Sequence, residues 1–402
     1  MPYDVSRIRT HFPSLGGGTA YFDGPGGTQT PDVVGDAVRA TLVGPLSNRG
    51  ATTESERAAE GAVQDARAAM ADLLGAQPGG VVFGRSATAL HYILVGALAK
   101  TWRTGDEVVV SRLDHDANVR PWIQAATASG ATVRWIDFDA GSGDLTLDHV
   151  RAALSDRTRF VAVTGASNLI GTRPDIPAIA DEVRRLGAHL HVDGVHLTAH
   201  EHVDIVAMGV SSYSCSPYKF LGPHVGVLAA APATLEALHP DKLLPATDAI
   251  PERFEFGTLP YELLSGVTAA VDFLAGLDAR ASGSRRERLA ASYSALHDHE
   301  EGLRRRIEAG IATLPGITLW SRAAGRTPTL LITFDGKDAA AAYRHLASRG
   351  INASAGSFYA LEPSRRLGLG DAGGLRIGLA PYNDDDDVAR LLAALEDFVT
   401  RS

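Results

Sequence analysis

Short β-rich runs alternate with longer helical ones over most of the chain, and this alternation narrows the fold more than any other feature. GGVVFGRSA, DEVVVSRLD, ATVRWIDFD, TRFVAVTGA, AHLHVDGV and HVGVLAAAP are brief, rich in Val or aromatic residues, and most are bounded by Gly, Asp or Ser, as strands are. Between several of them lie helical patterns such as SERAAEGAVQDARAAMADLLGA and IPAIADEVRRLGA. Strands that alternate with helices predict an α/β fold, a mostly parallel sheet with helices on both faces. In such sheets ligands collect at the carboxyl ends of the strands. After about residue 260 the pattern changes to a helix-rich segment and then to the strand candidates TLLITFDG and LRIGLAPYN. This predicts a large domain over residues 16–260 and a smaller α+β domain over 261–402, joined by residues 1–15. The acidic run at 384–387 suits the N-terminus of the helical stretch VARLLAALEDFV.

Composition narrows the function. With 402 residues, 45% apolar and 21% charged, the chain can bury a large core. A net charge of −9 gives no electrostatic footprint for nucleic acid or an anionic membrane, so a small molecule is the expected partner. The N-terminus has no basic-then-apolar signal pattern, and no run approaches the roughly 18 apolar residues of a membrane span. A cytoplasmic protein is expected. The single cysteine, Cys215, excludes an intrachain disulfide framework and a multi-cysteine metal site; no HExxH occurs among the 14 histidines, so no metal is predicted.

SCSPYKFLGP, residues 214–223, sets Lys219 between Tyr218 and Phe220 with no other charge nearby. Apolar surroundings lower a lysine's pKa and make the neutral, nucleophilic amine accessible. Taken alone, the decapeptide also fits a lysine whose stem lies on apolar surface and whose head reaches water. GRSATALHYILVGAL runs from a strand through Ser86, Ala87 and Thr88 into a helix, a natural phosphate cradle and equally an ordinary N-cap. HVDGVH puts Asp193 at a strand end with His196 three residues on, which also fits a simple turn. Together the three fit pyridoxal phosphate: the lysine for its aldehyde, the carboxylate for its pyridinium, the N–H groups for its phosphate.

The ordered series YFDGPGG, RSAT, LDHDANVRPW, SNLIGT, VDGVH, SPYKFLGPHVG, RFEFGT and LRIGLAPYN, over roughly residues 20–390, resembles the class V aminotransferase family of fold-type I pyridoxal-phosphate enzymes. Within it, the chain is similar to the branch of cysteine desulfurases and selenocysteine lyases. The resemblance implies a large domain with a mostly parallel, seven-stranded-type sheet and a smaller C-terminal domain. It makes Lys219 the Schiff-base lysine, Asp193 the pyridinium partner and His115 the ring that stacks on the cofactor. His196 stands where the family has a glutamine near the phenolic oxygen. Thr88 and Ser216 match phosphate ligands, and Tyr218 replaces the common histidine beside the lysine. Thr258 matches a residue that reaches the phosphate from the neighbouring subunit, which implies a homodimer with shared sites. Asn168 and Arg376 match substrate-facing groups, Arg376 being the bidentate clamp for an α-carboxylate.

One departure shapes the expected reaction. A desulfurase needs a loop cysteine to accept sulfur, and INASAGSFYALEPSRRLG has none; Tyr359 falls near that position, and Ser354 stands where desulfurases carry an arginine. Cys215 precedes the lysine instead and reads as a buried small hydrophobe. The expectation is a C–S lyase or β-eliminase acting on cysteine or a cysteine S-conjugate without an enzyme persulfide. An aminotransferase or amino-acid epimerase is the alternative, and a non-catalytic protein on the same fold is a third reading.

Overall fold

The computed structural model describes residues 3–400. In chain order, β1 is Ala20–Tyr21, β2 Val81–Gly84, β3 Glu107–Ser111, β4 Thr132–Ile136, β5 Thr158–Thr164, β6 His189–Asp193, β7 Ser212–Cys215 and β8 Gly226–Ala230. Strands β2 to β8 form one seven-stranded sheet in the order β2-β8-β7-β6-β5-β3-β4. Only β8 runs against its neighbours, antiparallel to both β2 and β7. The α/β architecture read from the alternation is the one observed.

The central strands are buried on both faces, and alternate residues divide between two cores. Val109, Val161, Val163, Leu190, Val192 and Tyr213 face one side, under the helices Glu54–Leu74 and Tyr261–Ala275. Val108, Val110, Phe160, Ala162 and Leu228 face the other, under the helices Ala87–Leu98 and Arg120–Ser129. The helix Glu54–Leu74 starts at a capping box, Thr53 with Glu56, and stops at Gly75, whose φ of 63° ends it in the left-handed region.

A second antiparallel sheet, β12-β13-β10-β9, is built from β9 (Ile317–Leu319), β10 (Thr329–Phe334), β12 (Ala355–Gly356) and β13 (Gly374–Gly378). Its core is closed by the C-terminal part of the helix Arg285–Ala312 and by the helices Ala339–Ala347 and Asp385–Thr400. Chain order and packing part company in three places, the first being Ile8 and Phe12 of the N-terminal segment, which lie in the core of the large sheet. β1 pairs in parallel with β11 (Ile351–Asn352), so Ala20 and Phe22 belong to this second core. The helix Tyr261–Ala275 packs on the helices Asp32–Val43 and Glu54–Leu74 beside the large sheet. Among the described residues no helix is long and apolar enough to cross a membrane, and no group of His, Cys, Asp and Glu is arranged to hold a metal ion.

Candidate active site

Four chain segments meet beyond the carboxyl ends of β2, β5, β6 and β7. Following β2, Ser86 caps the helix Ala87–Leu98, its Oγ accepting from the Ala89 N–H at 3.1 Å. Strand β8 begins directly beneath: a Cβ on Gly226 would stand 2.2 Å from the Ser86 carbonyl carbon, so only glycine allows this approach. Asp193 ends β6, and its Oδ1 accepts from the Val195 N–H at 2.9 Å. Lys219 follows β7, and its Nζ donates to the Pro25 carbonyl.

A cavity of about 80 Å³ lies between them. Ser86, Ala87, Thr88 and Ser216 line one part of it; His115, Asn168, Asp193, His196, Tyr218 and Lys219 line the rest. A wider cavity of about 600 Å³ adjoins it and shares Thr88, His115, Asn168, Tyr218 and Lys219, adding Arg376 and Tyr359. Every site residue read from the sequence borders one of these cavities except Thr258, which is exposed and lines neither.

Burial controls the charges here. It lowers Lys219 from the ordinary lysine range to about 7, helped by the Arg376 charge and opposed by Asp193. Burial likewise lowers Arg376 to about 9. Arg376 forms no ion pair among the described residues; its Nη1 donates to the Asn168 carbonyl at 2.9 Å. Asp23 acts on it only at a distance, so the buried guanidinium keeps hydrogen-bonding capacity for an anion. The Phe358 ring covers the guanidinium, with its centroid 3.6 Å from Cζ.

His115 is fixed from two sides. Its Nδ1 accepts from the Ala117 N–H at 3.0 Å, and burial lowers its pKa to about 4, so the ring is neutral with its proton on Nε2. In the preceding residue, burial raises Asp114 to about 8, and that carboxyl is held by Ser111 and by Asn118 Nδ2 at 2.7 Å.

His196 sits between the two cores, its Nε2 within 3.0 Å of Thr327 Oγ1 and 2.9 Å of Thr329 Oγ1. Its Nδ1, like the Asn168 Oδ1, is buried without a hydrogen-bond partner among the described residues. Buried polar atoms are seldom left this way. Two such atoms, an amine of lowered pKa, a strand-end carboxylate and a helix N-terminus around one cavity fit pyridoxal phosphate.

The sequence reading missed a polar ladder on the sheet's inner face. Because side chains alternate, His189, His191 and Asp193 of β6 point the same way, beside Ser212 and Ser214 of β7. His91 Nδ1 donates to the Ala117 carbonyl at 2.8 Å, so in the neutral ring Nε2 accepts from Ser214 Oγ at 2.7 Å. His191 Nε2, 3.2 Å from that same nitrogen, must then carry a proton, and its Nδ1 accepts from Ser212 Oγ at 2.8 Å. His189 Nε2 completes the chain by donating to Ser212 at 2.8 Å. One tautomer set therefore runs from the sheet interior to the turn bearing His115. The available signal was His91 itself, a lone imidazole in the apolar helix ATALHYILVGAL.

The family model described as "Aminotransferase class-V" matches residues 20–391. The uncharacterized protein MT3887 of Mycobacterium tuberculosis is 33% identical, over 98% of this chain and 99% of its own. A probable cysteine desulfurase of Pseudomonas aeruginosa is 31% identical over 97% of both chains. Among solved structures, the cysteine desulfurase CsdA of Escherichia coli superposes with a TM-score of 0.85 at 24% identity, covering 98% of each chain. The chain is thus a pyridoxal-phosphate-dependent enzyme and belongs to the class V aminotransferase family.

Proposed function

We propose that this enzyme is a C–S lyase that eliminates the β-substituent of cysteine or a cysteine S-conjugate without forming a persulfide on itself. The observation that carries this reading is the placement of its one thiol. Cys215 is fully buried in β7, and burial pushes its thiol well above the usual range, away from the reactive thiolate. The segment 351–368, next to the cavity mouth, contains no other. An S-conjugate can expel its own thiol, so no enzyme sulfur is needed to receive it.

When bound, the cofactor supplies an electron sink for charge developing at the substrate's Cα. Arg376 holds the α-carboxylate, its in-plane N–H groups suiting a bidentate grip. With the cofactor bound, Lys219 would take the Cα proton on Nζ; a pKa near 7 suits that task at neutral pH. Asp193 would keep a proton on the cofactor's ring nitrogen, and the neutral His115 would hold the ring. Ser86, Ala87, Thr88 and Ser216 hold the phosphate. His196 offers Nδ1 to the phenolic oxygen, and Asn168 faces the substrate beside Arg376.

Thr258 fits the phosphate only through a second copy. It projects from a segment whose root is anchored: Arg67 is buried and paired with Glu255 at 2.9 Å, while Phe256 and Thr258 stand exposed. A homodimer that exchanges this segment completes both sites, and the smaller domain closes over them.

The test is a balance of products. Cofactor-loaded enzyme is supplied with cysteine and several S-alkyl cysteines while pyruvate, ammonia, thiol and the cofactor spectrum are followed together. Equal pyruvate, ammonia and thiol establish elimination. Conversion of the cofactor to its amine form, with turnover only after a keto acid is added, establishes transamination instead. Racemised substrate with neither product establishes epimerisation.

A further inference from the structure

The segment after Gly356 places two aromatic rings with unusual care. Phe358 and Tyr359 lie at φ 53° and 57°. Bulky residues rarely adopt this left-handed region, and two in succession persist only where the surroundings hold them. Three hydrogen bonds do so. Asn168 Nδ2 donates to the Phe358 carbonyl at 3.0 Å, the Asp116 N–H to the Tyr359 carbonyl at 2.7 Å, and the Ala360 N–H closes the turn onto Ser357 at 2.8 Å. The turn is thereby tied to the Asn168 loop on one side and to the His115 turn on the other.

The rings face different groups. Phe358 lies on the Arg376 guanidinium, so a carboxylate can approach only the in-plane N–H edge. Tyr359 leans on the His115 ring, with centroids 5.5 Å apart, and remains 76% exposed at the mouth. Outside Arg376 the cavity widens to about 600 Å³, with Tyr92, Pro121, Tyr218, Phe358 and Tyr359 in its walls. The rim ion pair, Arg120 with Asp116 at 2.9 Å, is already matched. The cofactor takes the part of this space lined by Lys219 and His115, and the whole falls in the range that takes ligands larger than free cysteine.

We propose that the Ser357–Ala360 turn is the specificity element of this enzyme, orienting the carboxylate clamp through Phe358 and walling, with Tyr359, a chamber for an aryl or similarly apolar substituent on the substrate's sulfur. The bond that is broken rests on the lyase reading above; the fit of the apolar group does not. Substrates with a free thiol are accordingly poor ones.

The holoenzyme is titrated with L-cysteine, S-methyl-L-cysteine and S-benzyl-L-cysteine, reading Kd from the cofactor absorption and, separately, pyruvate and thiol release. S-benzyl-L-cysteine is expected to bind at least about 10-fold more tightly than S-methyl-L-cysteine, the scale on which apolar pockets discriminate. That ratio collapses in Tyr359→Ala and in Phe358→Ala and survives in Tyr359→Phe, which keeps the ring. Tyr359 is exposed, so its replacement reports on the chamber even where Phe358→Ala disturbs the turn. Equal affinities for the three ligands, or an unchanged ratio in both alanine variants, overturn the proposal. Tight S-benzyl binding without pyruvate from any ligand upholds the chamber and sinks the lyase reading; pyruvate from all three at equal Kd does the reverse.

Discussion

Arg376 donates through Nη1 to the backbone carbonyl of Asn168 at 2.9 Å, and Asn168 Nδ2 in turn donates to the Phe358 carbonyl at 3.0 Å. The guanidinium is therefore aimed by a neutral hydrogen-bond partner, with Asp23 acting on it only at a distance. A lysine at this position keeps a charge but loses the planar fork and its stack under Phe358. One charge-assisted hydrogen bond is worth about 1.5–3 kcal/mol, so Arg376→Lys is expected to raise KM by about 10- to 100-fold. Steady-state kinetics on the best S-conjugate check this, and an unchanged KM removes Arg376 from the carboxylate.

Lys219 sets a pH dependence that can be read without turnover. With a pKa lowered to about 7, its amine is neutral and nucleophilic above that pH and protonated below it. The rate at which cofactor-free enzyme recaptures pyridoxal phosphate should fall about tenfold per pH unit below 7 and level off above. A plateau reached only near the ordinary lysine value contradicts the buried environment. Lys219→Ala should lose the long-wavelength absorption of the attached cofactor altogether.

Exchange of the Thr258 segment predicts complementation between two defective chains. Lys219→Ala has no amine and Thr258→Ala a weakened phosphate site. In a mixed dimer one site receives Lys219 from one chain and Thr258 from the other. Unfolding and refolding the two together should restore phosphate affinity at that site, measured by cofactor retention on dilution. If the mixture retains cofactor no better than the average of its parents, the segment serves its own chain.

The imidazole ladder predicts sensitivity to acid. Burial lowers His91 and His191, and lowers His189 from the ordinary 6.5 to about 4. A folded-state pKa below the unfolded one means that unfolding takes up protons. The contribution is complete above about pH 6.5 and is lost as pH falls toward about 4. One such proton changes stability by up to about 1.4 kcal/mol per pH unit. Urea midpoints at a series of pH values should fall less steeply in His189→Asn than in the native chain, and equal slopes would show that this histidine titrates normally.

Much of the fold was legible because the strands that carry it are Val-rich and bounded by turn residues. β7 was not: Ser-Tyr-Ser-Cys alternates over only four residues and has none of the Val that marks the other strands. Its serines are satisfied by histidines from β6 and from the helix Ala87–Leu98, partners that adjacency in sequence cannot reveal. The same distinction runs through the site. Ser86, Asp193 and Lys219 sit at strand ends, where local motifs announce them. Phe358, Thr327 and Thr329 act only through tertiary contact, on Arg376 and on His196, and nothing in their own neighbourhoods marks them.

The reversed strand has a consequence for how the molecule is made. β2 lies at the sheet's edge and its one neighbour there is β8, which leaves the ribosome last of the seven. Until β8 arrives, the Ser86 turn has no Gly226 beneath it, and β2 is an unpaired edge exposed to other chains. Pairings over such sequence distances form slowly. The parallel pairing of β1 with β11 delays closure of the second core until almost the whole chain has emerged. The Ser86 turn is thus translated early and seated late, so a nascent chain arrested before Gly226 carries Lys219 and Asp193 without the glycine on which that turn rests.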